Sequence, residues 1–205
     1  MTTNGVPPAP AGLVRRLDDP AAAALAELVE AFEDMQTVLR CCERLVTELA
    51  AGGEPDEVVV EAVWATALLS YARCFSAAEE GVALTEDDLN ATQTSGEVLE
   101  WHRLLLQLRD HYADPAVNPR ERFSVGVAQD ANGAPSGVAI TSARQPLVDD
   151  LTVRQTGAIA YALSGLVNER IESRQQQVFD DLKELSKEDL DKLVPLDVSA
   201  PAAGP

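Results

Sequence analysis

Aromatic side chains are scarce in this sequence: four Phe, three Tyr and two Trp among 205 residues. A core of this size must then rest on Ala, Leu and Val, which favours closely packed helices over a β-sandwich. Cysteine is scarcer still. Cys41 and Cys42 are adjacent, Cys74 stands alone, and no CxxC spacing occurs. Three cysteines cannot all pair within one chain, so free thiols in a reducing cytoplasm are expected. With only two histidines, His102 and His111, no metal site can be assembled at these spacings. Long apolar runs are missing, which excludes a membrane span. Met1–Gly12 lacks the charged and apolar regions of a signal peptide. The sequon Asn90-Ala91-Thr92 would therefore stay unmodified in a cytoplasmic chain.

Basic residues are outnumbered by 34 acids to 16, giving a net charge of −18. A field of that sign repels phosphate backbones, so RNA is not the favoured partner, and a basic protein fits better. An acidic decoy that mimics a phosphate backbone is a further reading. The excess acid also keeps an Ala-rich chain soluble.

The patterning predicts a mainly α protein, a four-helix bundle with a β-hairpin inserted between the third and fourth long helices. Residues 1–17 read as a flexible arm, 18–194 as the bundle domain and 195–205 as a disordered Ala/Pro tail. Asp18-Asp19-Pro20 opens the first helix, with acids at the positive dipole end and Pro in the first turn. Leu25, Leu28, Phe32, Met35, Leu39, Cys42, Val46 and Leu49 then recur three and four apart until Gly52-Gly53. This heptad seam predicts either an intramolecular bundle or a homodimer.

Glu54-Pro55-Asp56 opens the second helix, whose stripe includes Val60, Trp64, Leu68 and Tyr71 and whose end is marked by Gly81. Thr85 and Asp88 form a capping box. The third long helix covers 97–113 and closes before Pro115. Alternation around Phe123, Val125 and Val127, then Val138 and Ile140, flanks Asn132-Gly133 and predicts a hairpin over about 122–142 that packs on the helices. The fourth long helix starts at Asp149-Asp150. Its polar stretch Arg170–Gln177 predicts a segment projecting from the bundle, and Ser186–Asp189 caps a short last helix.

The chemistry-bearing residues concentrate on the third helix. His102 and Arg109 are seven residues apart and share a face, whereas His111 lies about 200° round from Arg109. An Arg that holds phosphate beside a His that shuttles a proton is the minimum equipment for RNA cleavage. A surface Arg and a His capping a helix end are the plainer reading. No GxGxxG, P-loop, HExxH or GxSxG occurs, so no cofactor is expected. Glu27, Glu30, Glu33 and Asp34 lack a Glu-x-x-His companion and read as a solvated helix face.

Tyr71-Ala72-Arg73, His102 with Leu108-Arg109-Asp110, and Ala116-Val117-Asn118-Pro119 together resemble HEPN-like helical domains over roughly residues 20–130. The resemblance implies a four- to five-helix bundle, commonly dimeric, of a kind that includes metal-independent ribonucleases of toxin–antitoxin and phage-defence systems. It implies a site around Arg109, Asp110 and His111, with Tyr71, Arg73, His102, Asp114 and Asn118 as pocket residues. The family's His follows its Arg by four to six positions, where this chain has Ala113, Asp114 and Pro115. Either the base is missing or Asp114 or His111 substitutes; the simplest inference is a non-cleaving member, and the alternative is a HEPN-like ribonuclease or nucleotide-binding module using Arg109 with His111 or Asp114. Antiparallel second and third helices would put Arg73 and Arg109 at opposite ends, where only a symmetric dimer could rejoin them.

Overall fold

Asp19 accepts a hydrogen bond from the Ala22 amide at 2.8 Å and starts α1, Pro20–Ala50, with Pro20 in its first turn. The computed structural model describes residues 14–76, 82–92 and 96–196. Asp56 accepts from the Val58 and Val59 amides and opens α2, Glu57–Arg73. The short α3, Glu86–Ala91, begins at Thr85, whose amide donates to the Asp88 carboxylate at 2.8 Å. It is followed by α4, Val98–Ala113, and by strands β1, Glu121–Gln129, and β2, Pro135–Arg144. Asp149 caps α5, Asp150–Lys183, and Ser186 caps α6, Lys187–Lys192. The chain is thus mainly helical with a two-stranded antiparallel hairpin, as its patterning predicts.

α1 is flanked by α2 and α5. It runs antiparallel to both: Asp34, midway along α1, pairs with Arg73 at the end of α2 while Glu48 near the end of α1 accepts from the Asp56 amide at the start of α2, and Cys42, late in α1, meets Gly157 early in α5. Its buried set is Ala24, Leu28, Ala31, Met35, Val38, Cys42 and Leu45. This corrects the predicted stripe. Leu28, Met35 and Cys42 are shared, but the other half of the seam falls on 24, 31, 38 and 45. Leu25, Phe32, Leu39, Val46 and Leu49 are only partly buried against the core. A helix covered on two flanks needs a face wider than a two-stranded seam, and the small Ala24 and Ala31 let neighbours approach its centre. The heptads are used within the chain, so they carry no argument for a dimer.

Three further expectations are corrected. The stretch Arg170–Gln177 does not project free of the body: Ile171 and Val178 are buried, and Arg170 forms an ion pair with Asp88 of α3. Two apolar side chains seven residues apart continue the stripe of Ile159, Leu163 and Val167 and hold α5 down. The ordered chain also extends past the predicted 18–194 limits. Val14–Arg16 lies antiparallel to Val194–Leu196, with Arg16 N donating to Val194 O and Leu196 N to Val14 O, both at 2.8 Å. The Arg15 guanidinium adds bonds to Asp191 and to Leu193 O. The rest of the predicted arm (1–13) and tail (197–205) lies outside the described residues, as does Gly81; α2 itself ends at Arg73.

The third correction concerns the hairpin. Its register pairs Val125 with Ile140 and Val127 with Val138, and the turn is closed by Asp130, whose carboxylate accepts from the Asn132 and Ala134 amides. Gly133 has φ 83°, a conformation that its missing Cβ permits. The hairpin does not pack on the helices: Phe123, Val125, Val127, Val138 and Ile140 are all exposed. Ion pairs of Arg120 with Glu61 and Arg144 with Glu57 fasten its base to the first turns of α2, and among the described residues the strands pack chiefly on each other.

Candidate functional site

α4 leans on α2 through His102 and Leu105, both buried. The Tyr71 hydroxyl and His102 Nδ1 are 2.9 Å apart, and the His102 ring lies against Phe75 with centroids 4.3 Å apart and planes tilted by 48°. Burial pushes the His102 proton affinity down, opposed by Glu86 and reinforced by Arg103. Burial also pushes the Tyr71 hydroxyl well up. At neutral pH the pair is a neutral ring and an intact phenol. It satisfies two polar groups inside the core.

The other predicted residues do not join them. Arg73 turns toward α1, where its Nε donates to Asp34 at 2.9 Å and its second nitrogen reaches Asp34 and Ser70. Arg109 lies near the opposite end of α4 from His102. Its Nε is 2.7 Å from an Asp110 carboxylate oxygen but out of line for a hydrogen bond, and is buried without another acceptor among the described residues. His111 is half-buried, its ring edge-on to Tyr112 at 6.1 Å. Asp114 accepts from the Ala116 amide at 2.8 Å, and Asn118 from the Arg120 amide at 2.9 Å, so both stabilise the turns leaving α4.

The predicted pocket of Tyr71, Arg73, His102, Asp114 and Asn118 is therefore corrected: only Tyr71 and His102 meet. The antiparallel run of α2 and α4 puts 71 with 102 at one end and 114 and 118 at the other, while Arg73 belongs to the α1 side.

Two of the concavities among the described residues flank α4. One of about 150 Å³ sits where Glu57, Glu61 and Trp64 of α2 face Tyr112, Arg120 and Arg144. A larger groove of about 670 Å³ separates α4 from α5, lined by Val98, Trp101, Leu104, Arg154, Ala158 and Ile159. Trp101 of the groove wall is held by its Nε1, which donates to the buried Thr156 Oγ1 at 3.4 Å. Trp101 is partly buried against the core there, and Leu104, three residues on, is exposed.

All three cysteines are free. Burial pushes the Cys42 and Cys74 thiols up to about 12. Among the described residues no group of three or more His, Cys, Asp or Glu is placed to hold a metal ion. No helix among them is long and apolar enough to cross a membrane. Comparison with protein-family models, curated proteins and solved structures gives no match.

Proposed function

We propose that this chain is a noncatalytic interaction protein, a four-helix bundle of α1, α2, α4 and α5 related to HEPN-like domains but lacking their catalytic His. The observation that carries this reading is the hairpin: an apolar sheet face held out from a strongly acidic helical body. The chain's chemistry-bearing residues support it. Tyr71 and His102 bond each other, Arg73 is taken by Asp34, and Asp114 and Asn118 are engaged by backbone amides. A homodimer is the first partner expected, and a basic protein drawn to the acidic helices the second.

The specific observation that favours a ribonuclease instead is Arg109, whose side chain is about one-third exposed and pairs with its own neighbour Asp110, so that the exposed part of its guanidinium can meet a phosphate oxygen. Incubation of the purified chain with a mixed RNA pool in EDTA separates the two readings. The interaction reading predicts intact RNA. Cleavage abolished by both Arg109→Ala and His111→Ala would establish the ribonuclease.

A further inference from the structure

One face of the hairpin gathers its large apolar side chains. Val125 stands opposite Ile140 and Val127 opposite Val138, with Phe123 beyond them on the same side. The other face carries Ser124, Gly126, Ala139 and Thr141, all small or polar. The apolar five are between 58% and 76% exposed. A two-stranded hairpin is marginal in water by itself, and cross-strand apolar pairs contribute fully only when covered. This hairpin is nonetheless regular through Ala128–Gly137 and is clamped at its base, where Gln145 N donates to Arg120 O at 2.8 Å.

We infer that this face is where two copies of the chain pair, hairpin on hairpin, so that the four strands form two layers across a two-fold axis. The inference rests on the interaction reading above and names its partner. Area is the first argument. From their exposures the five side chains offer on the order of 600 Å² per copy, or about 1,200 Å² for two, the lower edge of stable specific interfaces.

Charge is the second. Between 121 and 144, Glu121 and Asp130 are balanced by Arg122 and Arg144, so the hairpin is neutral on a chain of net charge −18. A basic partner would be drawn to the helices rather than to this face. Two acidic bodies repel one another, and a neutral hairpin reaching past the bundle lets the apolar faces meet with those bodies kept apart. An apolar face that matches itself also closes after two copies, as an isologous contact must.

Sedimentation equilibrium of the full chain from about 1 to 100 µM tests this. The mass should rise from 21.9 kDa toward twice that value. The triple variant Val125→Thr, Val138→Thr, Ile140→Thr keeps branched strand-forming side chains and should weaken pairing at least about tenfold. Thr141→Lys with Ser124→Glu, on the opposite face, should pair as the parent does, with helical circular dichroism confirming that each variant's body is folded. A parent that stays at the single-chain mass overturns self-pairing while leaving RNA intact and the interaction reading standing. A Thr triple that pairs like the parent, or an opposite-face variant that does not pair, overturns the assignment of this face. RNA cleavage would overturn the interaction reading itself, whatever the mass.

Discussion

The Tyr71 hydroxyl and His102 Nδ1, 2.9 Å apart in the core between α2 and α4, tie together residues that are 31 positions apart in the chain. Burial holds His102 below its ordinary value of 6.5. The neutral ring is the folded form, so its contribution is complete above about 6.5 and is lost as pH falls toward the lower folded value. Glu86 and Arg103 are the charges nearest this balance. Chemical denaturation at pH 7 and pH 5 should show the parent losing more stability than His102→Gln. Carboxylate protonation affects both proteins, so their difference isolates the ring. Parallel pH profiles would contradict a buried neutral His102.

The rotated stripe of α1 makes a second prediction. Val38 is fully buried and Leu39 only partly so. Val38→Asp should cost about 3–5 kcal/mol by placing an unpaired charge in the core, and Leu39→Asp clearly less. Urea unfolding of both variants checks the order. A larger loss at Leu39 would restore the stripe predicted from spacing.

That ambiguity shows what sequence pattern resolves. Caps at Asp19, Asp56, Asp149 and Ser186 and the Asn132-Gly133 turn marked the elements, because each is a local bond between near neighbours. The buried face of α1 was not legible, since both seams contain Leu28, Met35 and Cys42. The partner of Arg73 was hidden because Asp34 lies on another helix and read as solvated. Alternation located the hairpin's apolar face, but nothing local states whether that face is covered. His102 was singled out as chemistry, and its distant Tyr71 made it a core hydrogen bond.

Gly157 supplies a third prediction. A Cβ built there lies 3.4 Å from Cys42 Cβ, an ordinary contact. Gly157→Ala should stabilise the chain by about 0.5–1 kcal/mol through helix propensity. Gly157→Val pushes a branched side chain into α1 and should destabilise it by about 1–3 kcal/mol. Opposite shifts in thermal midpoint are expected, and a destabilising Ala would show a tighter α1–α5 contact.

The thiols provide a fourth. Burial raises all three, to about 12 for Cys42 and Cys74, while Cys41 is the least enclosed. Thiolates attack disulfide reagents, so native chain at pH 8 should react first at Cys41, and at all three only after unfolding. Equal rates at the three in native protein would show that the seam around Cys42 and Cys74 opens readily.

The central claim is that the helical body is complete in itself and the hairpin serves contact with a partner. Because Arg120 and Gln145 meet at the hairpin base, a short Gly-Ser linker can replace residues 121–144 without stretching the chain. The surface ion pair of Arg144 with Glu57 is lost and is worth little. Thermal unfolding of this shortened chain, followed by circular dichroism at about 222 nm, is the direct test. The account predicts a cooperative helical transition within about 2–4 °C of the parent's, the shift that a loss of about 1 kcal/mol gives at this chain length. A non-cooperative melt, or a midpoint lower by more than about 10 °C, would show that the hairpin holds the bundle together and would contradict it.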